Sequence, residues 1–196
     1  ANTIMAAVLA KGTTKLLNVA REPEIIDLCK CLNAMGSKIE GEGESTIIIE
    51  GVDSLSETTH SIVMDRIELG TFIIAGAITD SDIKLTGGNT ALLENFIDKL
   101  NQVGVEVHQT KDHINVKRID SLSIKCTNIL TEPFPGFPTD LQAQMMALLS
   151  IAEGVSNIEE KIFENRFMHV PELIRMGANI EIAGRKAIIS GVDNLK

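Results

Sequence analysis

Gly51-Val52-Asp53-Ser54-Leu55 recurs as Gly191-Val192-Asp193-Asn194-Leu195, and the residues upstream of each recur with it. Leu32-Asn33-Ala34-Met35-Gly36-Ser37-Lys38-Ile39 matches Leu173-Ile174-Arg175-Met176-Gly177-Ala178-Asn179-Ile180. A third version, Leu100-Asn101-Gln102-Val103-Gly104-Val105-Glu106-Val107, lies between them. The glycines at 36, 104 and 177 thus return roughly every 70 residues, a period too long for a common solenoid and suited to a small α/β unit repeated within a domain.

The middle copy gives the order of elements. His60–Met64 reads as a short strand, and Asp65-Arg66-Ile67-Glu68 as an N-cap with a carboxylate three residues on, opening an apolar helix to about Ile78. Ile83–Leu85 reads as a strand. Asn89-Thr90 opens a second helix with apolar residues at 92, 93, 96, 97, 100 and 103, the spacing of a buried face. Gly104 stops it, and Val105–His108 and Ile114–Lys117 are two strands around a polar turn at Lys111-Asp112. The predicted order is βαβαββ. The last copy is expected to repeat it, with strands over Ser121–Asn128, Ile158–Phe163, Ile180–Ile182 and Ala187–Ser190, and helices over Asp140–Ala152 and about His169–Met176. The first copy starts inside its first helix at Ala1, so about two and two-thirds units are expected, with the repeat cut at both ends.

Composition narrows the function. The 196 residues carry 18 Lys+Arg against 27 Asp+Glu, a net charge of −9. That balance argues against nucleic acid, whose phosphates need clustered cations, and the absence of Trp and Tyr removes stacking platforms for bases. With 44% hydrophobic residues the chain has material for a core. Its longest apolar runs, Phe72–Ile78 and Met145–Ala152, fall short of the roughly 20 residues a membrane span needs. Ala1–Ala10 has no basic leader and reads as a helix rather than a signal peptide. Cys29, Cys31 and Cys126 are odd in number, lack zinc-ligand spacing and suit reduced thiols in the cytoplasm. Gly87-Gly88-Asn89 is a turn, not a phosphate-binding loop.

Three segments depart from the repeat. Thr131-Glu132-Pro133-Phe134-Pro135-Gly136-Phe137-Pro138-Thr139-Asp140 holds three of the five prolines, so it is a stiff loop delivering Thr139 and Asp140 to a helix start. Thr139 with Gln142 three residues on suits a capping box; Asp140 equally suits a general base on a rigid element. Phe163-Glu164-Asn165-Arg166-Phe167-Met168-His169-Val170-Pro171 replaces an ordinary strand–helix turn. Arg166 there is either half of a surface ion pair or an anion-binding guanidinium beside helix N–H groups. His169, beside an apolar run, suits a structural histidine more than a base. In Arg21-Glu22-Pro23-Glu24, the two acids and the proline suit a helix start. Met145 and Met146 read as core filler.

Arg21-Glu22-Pro23-Glu24-Ile25, Asp65-Arg66-Ile67-Glu68, Phe137-Pro138-Thr139-Asp140-Leu141-Gln142-Ala143-Gln144 and Glu164-Asn165-Arg166-Phe167-Met168-His169-Val170-Pro171-Glu172-Leu173 resemble, in order along the whole chain, the UDP-N-acetylglucosamine 1-carboxyvinyltransferases, a branch of the enolpyruvyl transferases. The resemblance implies an inside-out α/β barrel of βαβαββ units in two domains. Residues 1–62 would be the last unit of the nucleotide-sugar-side domain, and 63–196 two units of the catalytic domain. It implies a cleft that binds UDP-N-acetylglucosamine and phosphoenolpyruvate and needs no cofactor or metal. By the same resemblance, Asp140 matches the base on the sugar 3-hydroxyl and Arg166 an active-site arginine. Thr139, Ile162 and Phe163 match or neighbour positions lining the nucleotide-sugar site.

Some family features have no counterpart among these residues. They are the reactive cysteine on its mobile loop, a lysine–asparagine pair, most arginines that hold phosphate and carboxylate, and a closing segment expected just beyond Lys196. No catalytic role therefore passes to Cys29, Cys31 or Cys126. Met64 and Leu69 stand where the resemblance leads one to expect Pro and Thr. The chain alone is expected to be inactive and to need the rest of the cleft. Two other classes stay open: a non-catalytic binding or structural module that reuses the repeat, and an RNA-processing enzyme on similar units, which the −9 charge disfavours.

Overall fold

Three antiparallel strands in one order recur in each of the three sheets, the last of which adds a parallel edge strand, because each copy of the repeat folds the same way. In the computed structural model, which describes residues 1–119 and 123–196, the chain divides into two compact units, Ala1–Val63 and Met64–Lys196. The first holds α1 (Asn2–Ala7), β1 (Thr13–Leu17), α2 (Pro23–Ala34), β2 (Lys38–Glu40) and β3 (Thr46–Glu50), with the sheet ordered β1-β3-β2 and antiparallel throughout. The second begins with α3 (Arg66–Ile78), β4 (Ile83–Leu85), α4 (Glu94–Gln102), β5 (Val105–Gln109) and β6 (Ile114–Arg118), ordered β4-β6-β5. It continues with β7 (Asn128–Leu130), α5 (Gln142–Leu149), β8 (Val155–Glu159), α6 (Val170–Arg175), β9 (Asn179–Ala183) and β10 (Lys186–Ser190), ordered β7-β8-β10-β9 with β7 parallel to β8. The fold is mixed α/β.

The repeated sequence corresponds to repeated backbone bonds. The Gly51 N–H donates to Gly12 O and that of Gly191 to Gly154 O, at 2.9 and 3.0 Å. Val52 and Val192 donate to Val8 and Ser150 in the same way. Met35, Val103 and Met176, each just before a repeat glycine, accept from Ser56, Lys125 and Lys196. Gly36, Gly104 and Gly177 end their helices at φ +100, +90 and +101°, a conformation that favours glycine.

Local signals set several boundaries. Asp65 Oδ1 accepts the N–H groups of Ile67 and Glu68, capping α3 as expected. At the far end, Arg118 donates to the Ala77 and Ile78 carbonyls at 2.7 and 2.9 Å, satisfying acceptors the helix leaves open. Pro23 occupies the first turn of α2 with Glu24. Ile73, Phe96, Leu100, Phe137, Leu141, Met145, Met146 and Ile158 share the core of the second unit; the first unit centres on Ile4, Cys29, Ile47 and Ile49.

Four expectations need correction. His60–Met64 forms no strand; a short β-like run makes a strand only where a partner edge accepts its ladder bonds. The helix opening at Asn89 starts as a 3₁₀ turn, Thr90–Leu93, before α4. The helix expected from Asp140 likewise starts as a 3₁₀ turn over Thr139–Leu141 and ends at Leu149. The strand expected over Ile158–Phe163 runs instead over Val155–Glu159, because the Ile162 and Phe163 N–H groups turn inward to the Glu160 carboxylate. Of the strand expected over Ser121–Asn128, residues 121 and 122 lie outside the described residues; Asn128 opens β7, and Lys125 makes an isolated bridge to Glu153.

Candidate active site

The proline-rich segment is fixed at both ends before it reaches Asp140. Thr131 extends the β7–β8 ladder by donating its N–H to Glu159 O at 3.0 Å. The loop folds back so that Glu132 donates to Phe137 O and Gly136 to Pro133 O. Phe137 is buried against Phe96, ring centroids 5.8 Å apart, and the Arg66 guanidinium lies over the Phe134 ring. Leu141, just past Asp140, packs onto α3 at Gly70, where a side chain would collide with it. Asp140 thus projects from a braced turn, its side chain 54% exposed.

The expected capping box does not form. Pro138, not Thr139, holds the N-cap position, and the Thr139 hydroxyl donates to Glu160 Oε2 at 2.8 Å, an ionised acceptor stronger than a neutral one. Gln142, 1% exposed, makes no hydrogen bond through either amide atom.

Glu160 organises the facing segment. The residue is 1% exposed. Oε1 accepts the Thr131 hydroxyl at 2.7 Å and the N–H groups of Ile162 and Phe163 at 2.8 and 3.2 Å, while Oε2 accepts Thr139. The Thr131 hydroxyl accepts in turn from the Lys161 N–H. Burial pushes the Glu160 carboxyl up, but the hydroxyls of Thr131 and Thr139 and the N–H groups of Ile162 and Phe163 outweigh it and leave its pKa below the ordinary glutamate value. Sequence reasoning missed Glu160. The signal was the period-two burial of β8, which turns Ser156 and Ile158 inward and continues to residue 160.

Beyond that turn, Arg166 reaches back. Its Nη2 donates to Asp140 Oδ1, and its guanidinium lies 5.1 Å from the Phe163 ring centroid. Asp140, Phe163 and Arg166 are therefore brought together from two segments. Thr139 points back to Glu160, and Ile162 is half-buried with its N–H on the same carboxylate. The guanidinium does not share an anion site with helix N–H groups, since Val170 and Glu172 already donate to the Phe167 and His169 carbonyls. Arg185 flanks the turn, bonded to Glu164 Oε1 at 3.0 Å and to Lys161 O at 3.2 Å.

His169 packs inward. Its Nε2 lies 3.3 Å from Met146 Sδ; burial, and then the Arg166 charge, push its pKa below the ordinary histidine value. Among the described residues no group of three or more His, Cys, Asp or Glu could hold a metal ion. A cleft of about 400 Å³ opens at the start of α3, lined by Asp65, Glu68, Phe72 and Lys84 among others, but neither Asp140 nor Arg166 belongs to it. No helix is long and apolar enough to cross a membrane, taking the described residues.

Residues 1–196 match the sequence family described as EPSP synthase (3-phosphoshikimate 1-carboxyvinyltransferase). Curated relatives named UDP-N-acetylglucosamine 1-carboxyvinyltransferase are 58% identical over 195 residues in Ruegeria pomeroyi, 56% in Dinoroseobacter shibae and 57% in Cereibacter sphaeroides. Each alignment covers the whole of this chain and 46% of the relative, so the chain spans about half the length of the curated relatives it matches. Among solved structures, the enolpyruvyl transferase NikO from Streptomyces tendae superposes with a TM-score of 0.85 at 27% identity, over 95% of this chain and 44% of that one.

Proposed function

Because the chain belongs to the EPSP synthase family of enolpyruvyl transferases, we propose that it supplies part of the active site for moving the enolpyruvyl group of phosphoenolpyruvate to the 3-hydroxyl of UDP-N-acetylglucosamine. This reaction belongs to cytoplasmic peptidoglycan synthesis. In this reading Ala1–Val63 belongs to the nucleotide-sugar side and Met64–Lys196 to the catalytic side, and the remaining length of the relatives completes the cleft.

The observation that carries the proposal is the Asp140–Arg166 pair, held at the ends of two stiffened segments. Asp140 is the base: it takes the proton of the sugar 3-hydroxyl as that oxygen bonds to the phosphate-bearing carbon of phosphoenolpyruvate. In this addition the neighbouring methylene carbon takes a proton from a general acid outside these residues, and it gives that proton up as the bond to phosphate breaks. Arg166 does two jobs. It keeps the Asp140 carboxylate aimed, and it places positive charge beside the anionic substrates. Phe163, under the guanidinium, limits where that charge can swing. Thr139 and Ile162 line the nucleotide-sugar site beside them.

In the full-length enzyme, Asp140→Ala lowers kcat on the order of a hundredfold or more. Phosphate release from phosphoenolpyruvate in the presence of UDP-N-acetylglucosamine measures this, and a near-normal rate removes Asp140 from the chemistry. The 196-residue chain by itself releases no phosphate, since positioning both substrates needs groups beyond this pair.

A further inference from the structure

We propose that Glu160 is the positioning residue that sets the spacing between Asp140 and Arg166; the proposal rests on the reading of Asp140 as the base. Its four partners come from three places. Thr131 immediately follows β7, Thr139 immediately precedes Asp140, and Ile162 and Phe163 open the turn that leads to Arg166. All four are neutral donors. A buried carboxylate held this way keeps its charge only while every donor stays aimed at it, because desolvation otherwise expels the charge. The ion therefore acts as a rigid four-point clamp on the two segments that carry the reacting pair.

The Asp140–Arg166 contact is partly exposed, the side chains 54% and 35% accessible. Such a pair holds its own geometry weakly. The clamp beneath it is almost wholly enclosed and supplies the rigidity the surface pair lacks. Arg185 adds a brace from the outside. It accepts the Glu160 N–H through its carbonyl at 2.8 Å and reaches Glu164 with its guanidinium, so the β9–β10 turn also leans on this corner. Among the described residues no second hydrogen bond joins Thr139 to the 160–163 turn.

The test is made in the full-length enzyme with Thr139→Val, Glu160→Gln and the two together. Thr139→Val removes one bond of the clamp and leaves the other three, so it folds even if Glu160→Gln does not. Each single variant is expected to lower kcat about tenfold or more by letting the base drift. The double variant is no slower than the slower single one, because both changes cut the same link. Thr139→Ser, which restores the hydroxyl, recovers most of what Thr139→Val loses. Folded variants that keep kcat overturn the proposal. So do effects that multiply in the double variant, or a loss confined to KM. Asp140→Ala, assayed alongside, separates the two readings. If it is inactive while Thr139→Val and Glu160→Gln turn over normally, only the clamp fails. If Asp140→Ala is active, the base assignment fails.

Discussion

Gly51 and Gly191 are the two residues at which the repeat is enforced by sterics. A Cβ on Gly51 would sit 1.5 Å from the Ala10 carbonyl oxygen, and one on Gly191 1.6 Å from that of Ala152. The obstacle in both cases is backbone, which cannot swing aside as a side chain can. Gly191→Ala is therefore expected to cost about 3 kcal/mol or more, measured as a fall in the denaturant midpoint. Two other residues tie stability to pH. His169 has a folded-state pKa below the ordinary 6.5, so the unfolded chain takes up its proton first and stability falls once pH drops below that value. Glu160 has a folded-state pKa below the ordinary 4.5. Its contribution is complete above 4.5 and is lost as pH falls through the folded value. Urea midpoints taken from pH 7.5 down to 3.5 should fall in two stages, and His169→Gln should remove the first. Of these residues, Gly191 was legible as part of a repeated string, and His169 as structural. Glu160 was harder to see: the alternation that turns it inward runs past the end of β8, and its partner Thr139 reaches it only in the folded chain.

Elements with local punctuation match their expected bounds. α3 is capped by Asp65 and ends at Ile78, and Gly104 stops its helix. The glycines inside α3 carried no sequence explanation. Gly70 meets Leu141, and Gly76 meets Ile83, each at a distance that leaves no room for a Cβ. Gly70→Ala gains roughly 0.8–1 kcal/mol of helix propensity but overpacks against Leu141, at about 1–3 kcal/mol. Net destabilisation is expected, along with a lower kcat in the full-length enzyme because Leu141 adjoins Asp140; thermal unfolding and the phosphate assay check the two parts. Asp65→Ala, which frees the Ile67 and Glu68 N–H groups, should cost about 1 kcal/mol in the same unfolding experiment and leave kcat unchanged. Elements that depend on partners were less legible. The Ile158–Phe163 stretch looks like a strand by composition, yet its second half bends to a carboxylate that only the folded chain puts there.

At the scale of the molecule the two units have separate cores, the larger formed by the two later repeats. A unit of about 60 residues buries a smaller fraction of its surface than one twice that size. Met64–Lys196 expressed alone should melt cooperatively by circular dichroism, and Ala1–Val63 alone should melt at lower temperature or not fold. The reverse order would mean that the small core is better packed than its size allows. The sequence by itself determined the repeat, its period, the helix caps and the glycine stops, since these rest on interactions between residues a few positions apart. It also carried the motifs that place Asp140 and Arg166 in an enolpyruvyl transferase. Only the tertiary structure decided that Thr139 serves Glu160 rather than a helix cap, and that Arg166 pairs with Asp140. Those contacts join residues more than twenty positions apart, and they exist only once β7 and β8 lie parallel in register and Phe137 is sunk in the core.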